Sequence, residues 1–284
     1  MNSMTEDLNE DPAPAAWFED DSFWKASFPC LFPDEKFASA EEQVSQLPKL
    51  VGSPFFRVLD LCCGPGRHAI ALAKQGALVT GVDRSSFLLE KARSRAGSEK
   101  IEWIQEDVRT FVRPGKFDLV INMFTSFGYF ESAKEDLIVL RNAYDSLRPG
   151  GFFVIDLRGK EILARNFAPR VVEERPDGSI LVEKREIIQD WCRIKVQWLL
   201  IQNDQITRVE FDLALYSGRE LTNLLQAAGF RSIRLYGTWQ GAPYDLNAER
   251  LIALPLSLYS LEEGAAQGIR LTKCTVIPSP DSDG

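Results

Sequence analysis

Four polar side chains fall at the ends of successive apolar runs: Asp60, Asp83, Asp107 and Asn122. Carboxylates and an amide in such places can accept hydrogen bonds from a ligand's hydroxyl, amine or ammonium groups. Directly after Asp60 comes Leu61-Cys62-Cys63-Gly64-Pro65-Gly66. Gly64 and Gly66 permit a tight turn and let a ligand reach backbone N–H groups without meeting a Cβ. A helix carrying Ala69, Ile70, Leu72 and Ala73, with Gly76 as its stop, would aim its N-terminal dipole at the same spot. Any one of these polar groups also reads as an ordinary strand-end or capping residue. Four in succession beside a glycine turn read as a nucleotide-type site.

The ligand must then be chosen. Gly64-Pro65-Gly66-Arg67-His68-Ala69 fits the dinucleotide fingerprint, and Asp83 stands near the expected ribose-binding position. Asp60 argues against a dinucleotide, because a carboxylate beside the turn repels a pyrophosphate. It suits a ligand with an ammonium group and no phosphate. Here the chain resembles the class I S-adenosylmethionine-dependent methyltransferases, whose first motif is an acid followed by a glycine-rich turn. Cys62 stands where that family usually has its first glycine. The resemblance spans about residues 40 to 255 and is closest over 58–120 and 217–251. Leu147-Arg148-Pro149-Gly150-Gly151 belongs to it, and so does Tyr236-Gly237-Thr238-Trp239-Gln240-Gly241 followed by Pro243-Tyr244. The latter phrase is similar to bacterial small-molecule N- and O-methyltransferases, including glycine and amino-sugar types.

The resemblance implies S-adenosylmethionine as cofactor and in-line transfer of its methyl group to a nitrogen or oxygen of a small molecule. It implies a cofactor site built from Asp60, Leu61, Cys62, Cys63, Gly64, Gly66, Asp83, Arg84, Asp107, Val108, Asn122 and Met123, with no metal. Asp83 can accept from two ribose hydroxyls. Asp107 can accept from the adenine amine, with the Val108 N–H on a ring nitrogen, and Asp60 faces the ammonium through water. No residue stands out as an obligatory base. Tyr129, in the aromatic loop Phe124, Phe127, Tyr129, Phe130, is one candidate for catalysis, with Arg158 and Tyr216. Arg219 joins them for substrate orientation. His68, the one histidine, reads better as a packing and hydrogen-bonding residue.

These residues need elements to hold them. From Phe55 strands and helices alternate, the mark of a parallel sheet covered on both faces. Ser85 caps a helix bearing Phe87, Leu88, Leu89 and Ala92. Ser39-x-x-Glu42, Ser132-x-x-Glu135 and Ser217-x-x-Glu220 read as capping boxes. The first should open a helix stopped near Pro48, and the second a helix through Leu147. A fifth strand is expected from Phe152 to Asp156, a sixth from Arg231 to Tyr236, and a last from Leu251 to Leu254. Residues 171 to 215 hold three or four alternating β-rich runs, with turns at Pro176-Asp177-Gly178 and Asn203-Asp204. There Ile194, Val196 and Trp198 should face inward, and Arg193, Lys195 and Gln197 outward. The expected fold is α/β: a Rossmann-like, doubly wound, mostly parallel seven-stranded sheet with an inserted small antiparallel β-sheet lid. The expected segments are a flexible acidic N-terminus with an aromatic lid segment (1–37), the cofactor-binding core (38–160), the β lid (161–215), the end of the core (216–256) and a loose tail (257–284).

Composition narrows the function classes. At 284 residues the chain can bury one large core or two small ones. Its net charge of −8 argues against a phosphate-backbone partner. The eight Lys and Arg from Arg84 to Lys116 read as a solvated face. Asn122-Met123-Phe124-Thr125 lacks the prolines of adenine-N6 enzymes, and no cysteine stands where a C5 nucleophile is expected. An RNA or tRNA methyltransferase remains an alternative, as does a non-catalytic cofactor-binding regulatory protein. No apolar run reaches bilayer length. Met1 to Asp21 carries seven acids and no Lys or Arg, the opposite of a secretory n-region. Five cysteines without a C-x-x-C pair point to reduced thiols, so a cytoplasmic monomer or homodimer is expected. Trp17, Phe18, Phe23 and Trp24 read either as a helix stapled to the core or as a lid over the cofactor.

Overall fold

The computed structural model describes residues 16–95, 101–175 and 177–257. Nearly all of the acidic N-terminal stretch and of the C-terminal tail expected to be loose lies outside them. A 3-10 turn at Trp17–Glu19 leads into α1 (Asp21–Leu31) and α2 (Asp34–Val51). Strands and helices then alternate: β1 (Arg57–Leu61), α3 (Arg67–Lys74), β2 (Leu78–Asp83), α4 (Ser86–Arg93), β3 (Ile101–Gln105), β4 (Phe117–Asn122), α5 (Ala133–Ser146) and β5 (Leu147–Leu157). After α6 (Lys160–Arg165) come four strands in a row: β6 (Arg170–Glu174), β7 (Ile180–Ile188), β8 (Arg193–Gln202) and β9 (Gln205–Ala214). The chain then returns through α7 (Gly218–Ala228), β10 (Arg231–Tyr236) and β11 (Leu251–Leu256).

Seven strands form one sheet in the order β10-β11-β5-β4-β1-β2-β3, and β6 to β9 form a separate antiparallel sheet. Within the large sheet only β11 runs against its neighbours. The strands β1 and β4 are buried apolar runs, as strands with helices on both faces must be. One face packs Phe153, Leu140, Leu221 and Phe230 under α5 and α7. The other packs Leu119, Val154, Leu47 and Leu72 under α2 and α3. Strand order reverses between β1's two partners, β2 and β4, so a crevice opens at the carboxyl end of β1. Asp60, Asp83 and Asn122 all sit at that edge.

Local signals decided most boundaries, and five expectations need correction. Ser217 and Glu220 make a complete capping box, each side chain bonded to the other's backbone N–H. Ser132 caps α5, but Glu135 turns away to Arg109, so that box is only half built. Ser39 does not open α2. The helix starts at Asp34, where Pro33 precedes two acids in the first turn, and the Ser39 hydroxyl donates to the Lys36 carbonyl instead. Pro48 lies within α2, one turn from its end, where its missing N–H removes a single bond; Gly52 closes the helix with φ +71°. β5 begins at Leu147 rather than Phe152, because Leu147 pairs with Phe117 before the register shifts. Arg193 is buried rather than wet. It pairs with Asp212 and donates to the Phe130 carbonyl at 2.8 Å, which offsets the cost of taking the guanidinium out of water.

The small sheet is joined to the large one by the N-terminal segment. α1 packs against both α4 and β9, burying Phe23 and Trp24 beside Leu88 and Val209. The Trp17 indole donates to the Asp212 carbonyl at 3.2 Å, and Arg175 at the end of β6 donates to the Pro29 and Cys30 carbonyls.

Gly66 is the tightest point of the fold near the crevice. Its φ is +79°, and a Cβ there would lie 2.4 Å from Cη2 of Trp103 and 3.1 Å from Cβ of Ala92. Gly76 shares the left-handed backbone at φ +94° but faces open space. Gly66→Ala is therefore expected to cost about 2–4 kcal/mol, overpacking added to backbone strain, whereas Gly76→Ala costs about 1 kcal/mol of strain alone. Urea unfolding of the two variants checks this; equal losses would refute the packing argument.

Candidate functional site

The turn after β1 is built from left-handed residues. Cys62, Gly64 and Gly66 have φ of 56°, 56° and 79°. The position where a glycine was expected is thus a glycine-type conformation that Cys62 adopts at a cost of about 1 kcal/mol. Three bonds hold the turn: the Cys63 N–H to the Val82 carbonyl (3.0 Å), the Gly66 N–H to the Cys63 carbonyl (3.0 Å), and the Gly64 N–H to Asp83 Oδ2 (2.7 Å). The other Asp83 oxygen accepts from the Ser85 N–H at 2.9 Å, at the start of α4. Burial pushes the Asp83 carboxyl up to about 6 despite these two donors.

The turn floors a cleft of about 790 Å³. Asp60, Cys62, Cys63, Gly64, Asp83, Arg84, Asp107, Val108 and Met123 all line it, so nine of the twelve expected residues converge. The other three support it from behind. Leu61 is buried in the sheet, Gly66 packs on Trp103, and Asn122 donates to the Leu61 and Ser126 carbonyls at 3.2 Å each. Asp60 is 2% exposed, and its Oδ2 has no hydrogen-bond partner among the described residues. Burial pushes its pKa up to about 8, although the nearby Arg67 cation favours the carboxylate. Arg67 was not weighed in the sequence, yet it lines the cleft and lies over the Phe124 ring at 4.0 Å.

Asp107 is less free than its position promised. Arg109 Nη2 reaches it at 2.6 Å and Arg84 Nη1 at 2.8 Å; against the opposing effect of burial, these bonds hold its pKa below the usual carboxylate range. Both arginines also reach Glu19 in the N-terminal turn, so Arg84 and Arg109 form a network at the cleft rim rather than a merely solvated face. The Val108 N–H beside them bonds to no described residue. His68 lines the cleft, but Gln43 Oε1 holds its Nε2 at 3.1 Å and its ring stacks on Phe124; burial and Arg67 push its pKa well down, leaving it neutral. The aromatics Phe18 and Trp24 form cleft wall and core contact at once.

A second cavity of about 250 Å³ adjoins the first, sharing Trp24, Leu31, Phe124, Tyr129 and Trp198 as walls. Tyr129, Arg158 and Tyr216 all line it, whereas Arg219 lies exposed outside both cavities. Tyr216 donates its hydroxyl proton to Asp136, whose pKa burial raises to about 6. Phe124 and Thr125, between the cavities, both have left-handed backbones (φ 60° and 62°). Asp156 fixes them, its Oδ2 accepting from the Phe124 N–H at 3.0 Å and its carbonyl from the Thr125 N–H at 2.9 Å. The Tyr236–Gly241 phrase lines neither cavity; it forms the β10–β11 connection, where Trp239 packs on the α2–α3 core.

Comparison with known proteins agrees with this geometry. Residues 58–151 match the methyltransferase domain family. The uncharacterised methyltransferase sll0829 of Synechocystis is 29% identical over 68% of this chain and 76% of its own length. Glycine N-methyltransferase of Rattus norvegicus is 32% identical over 48% of this chain and 52% of its own. The methyltransferase CcbJ of Streptomyces caelestis superimposes with a TM-score of 0.69 over 77% of this chain and 94% of its own, at 18% identity. Residues 58–151 of the chain carry a methyltransferase domain, and its fold is that of the S-adenosylmethionine-dependent methyltransferases. The match spans about half the length of the rat enzyme, and the same share, 52%, of the Bacillus subtilis relative YqeM. CalS10, an amino pentose methyltransferase of Micromonospora echinaspora solved with S-adenosylmethionine bound, has a TM-score of 0.59 over 82% of this chain and 96% of its own, at 19% identity.

The residues of the methyltransferase cleft fit that cofactor. The orphaned Asp60 oxygen can accept from an ammonium, the unbonded Val108 N–H can donate to a ring nitrogen, and Gly64 leaves the turn open to close approach.

Asp60 gives a stability prediction. Its carboxyl keeps its proton in the folded protein up to about pH 8, whereas the unfolded chain releases it near 3.8. Between those values the unfolded state binds fewer protons, so Asp60 makes folding less favourable as pH rises. Asp60→Asn, which cannot ionise, is expected to match wild type near pH 4 and to gain on it steadily toward pH 8. Thermal unfolding of both proteins across that range measures it; a pH-independent difference would mean that Asp60 titrates normally.

Proposed function

We propose that this protein transfers the methyl group of S-adenosylmethionine to a nitrogen or oxygen of a small molecule. The pair of adjoining cavities carries the reading: an acid-lined cleft for the cofactor meets a smaller, mostly apolar chamber across Phe124, Tyr129 and Trp198. In the cleft Asp60 takes the ammonium, Asp83 the ribose hydroxyls, and Val108 with Asp107 the adenine edge. Cys62, Cys63 and Gly64 offer backbone, Arg84 and Met123 close the walls, and Leu61, Gly66 and Asn122 hold the turn in place. The cofactor brings a methyl already activated on a sulfonium, so the protein's part is positioning, which can be worth roughly 7–11 kcal/mol.

The acceptor belongs in the second cavity. Its volume of about 250 Å³ suits a small molecule rather than a polynucleotide, and the net charge of −8 disfavours nucleic acid as well. The matched relatives named for glycine and for an amino pentose point the same way. Tyr129 and Arg158 orient the acceptor. Tyr216 offers a path for the departing proton: its oxygen takes the acceptor's proton while its own passes to Asp136. Free Cys30, Cys62, Cys63 and Cys192 fit a reducing, cytoplasmic setting.

Two measurements test this. Incubated with methyl-labelled S-adenosylmethionine and a cell extract, the protein is expected to label the small-metabolite fraction; label confined to RNA would overturn the small-molecule reading. Calorimetry at pH 7 addresses the cofactor pose. An ammonium placed beside Asp60 drives its proton off, since the free carboxyl titrates only near 8. The binding enthalpy should therefore vary with the buffer's ionisation enthalpy in wild type and lose that component in Asp60→Asn. Equal buffer dependence in both would put the ammonium elsewhere.

A further inference from the structure

We propose that the methyl acceptor carries an anionic group, a carboxylate or phosphoryl, that pairs with Arg158 in the second cavity. The inference rests on the methyl-transfer reading for what the molecule is used for, and on the cavity alone for its charge. Three arginines line this small chamber, Arg158, Arg185 and Arg250, against a single acid, Glu183. Two are neutralised by the protein itself. Arg185 grips Glu183 through Nε and Nη2 at 2.7 and 2.6 Å. Arg250 grips the fully buried Asp156 through the same two nitrogens at 2.7 and 2.9 Å. Arg158 has no hydrogen bond or ion pair with any described residue.

The unpaired charge sits where an acceptor must come. Arg158 follows the last residue of β5, at the same carboxyl edge of the sheet that carries Asp60 and Asp83. Around it Leu163, Ile194, Val196 and Leu215 are buried and apolar. Its side chain is partly exposed, and partial desolvation with the two neighbouring arginines disfavours its charged form, yet a guanidinium remains protonated at neutral pH. A lone cation against such walls attracts an anion more strongly than one in open water does. The guanidinium fork matches the paired oxygens of a carboxylate or phosphoryl group. A second unsatisfied donor points the same way: Trp198 lies in the wall common to both cavities, and its indole N–H is buried with no acceptor.

The test has two arms. First, protein saturated with S-adenosylhomocysteine is titrated with inorganic phosphate, and separately with acetate, at constant ionic strength, following tryptophan fluorescence. Wild type and the control Arg219→Gln, which alters an exposed arginine outside both cavities, should saturate alike. Arg158→Gln should bind about tenfold or more weakly, the loss of one charge-assisted hydrogen-bonded pair. An Arg158→Gln curve equal to wild type, or no saturable response to either anion in wild type, overturns the proposal. Second, products labelled from methyl-labelled S-adenosylmethionine are fractionated on an anion exchanger. The label should be retained, and Arg158→Gln should lower its yield about tenfold with cofactor affinity unchanged. A labelled product that flows through unretained overturns the proposal. If no product forms while the anion titration behaves as expected, the methyl-transfer reading fails and the anion subsite stands.

Discussion

The cleft exists because one buried carboxylate holds two backbone amides. Asp83, at the end of β2, accepts from Gly64 in the turn after β1 and from Ser85 at the start of α4. A turn with left-handed residues at 62, 64 and 66 cannot satisfy its own N–H groups as a helix would. Asp83 supplies the missing acceptor and locks two strands and two helices around one point. Gly66 completes the arrangement by letting Trp103 lie against the backbone, bringing α3 close to β3. The turn's N–H groups at 63, 64 and 66 are thus all taken, and Gly64, having no side chain, leaves the floor of the cleft open.

A second strained segment stands between the two cavities. Phe124 and Thr125 hold left-handed backbones that neither residue favours, and Asp156 fixes both through its carboxylate and its carbonyl. Arg250 makes that buried carboxylate tolerable by pairing with it in two places. Phe124 then presents its ring to Arg67 and His68 on the cleft side. Closure from above is of a different kind. The Glu19 bonds to Arg84 and Arg109 are half-exposed ion pairs, each worth on the order of 0–1 kcal/mol. The burial of Phe23 and Trp24 outweighs them, at roughly 1.5–3 kcal/mol for a large apolar side chain. The N-terminal segment is therefore held chiefly by its aromatics, with the acid–arginine contacts setting its register.

What the sequence revealed follows from how local each cause is. Strands ending in Asp60, Asp83 and Asn122 were legible because apolar runs and the acids that stop them are neighbours in the chain. The Ser217–Glu220 box was legible for the same reason. Ser39 misled because its signal is equally local but loses to the proline and acids at 33–35, nearly two turns earlier. Arg193 and Glu135 misled because their partners, Asp212 and Arg109, lie 19 and 26 residues away, beyond any pattern a short window can show. Arg67 was adjacent to the glycine turn and could have been weighed as a neighbour of Asp60. The second cavity had no such signal. Its walls come from the N-terminal turn, β5, α6 and the small sheet, and only packing brings them together.

Charge is unevenly divided between the two chambers, and the division suits the chemistry. In the cofactor cleft carboxylates outnumber cations, with Asp60, Asp83 and Asp107 at the strand ends and Glu106 beside them. In the second chamber the imbalance is reversed, with three arginines against Glu183. The cofactor brings positive charge on both its ammonium and its sulfonium, so the first chamber favours it without needing a counterion from solvent. Burial keeps a proton on Asp60 while that charge is absent, sparing the empty cleft a bare carboxylate in apolar surroundings. The two chambers share Phe124, Tyr129 and Trp198 as a wall, and Asp156 holds the left-handed Phe124 in place within it.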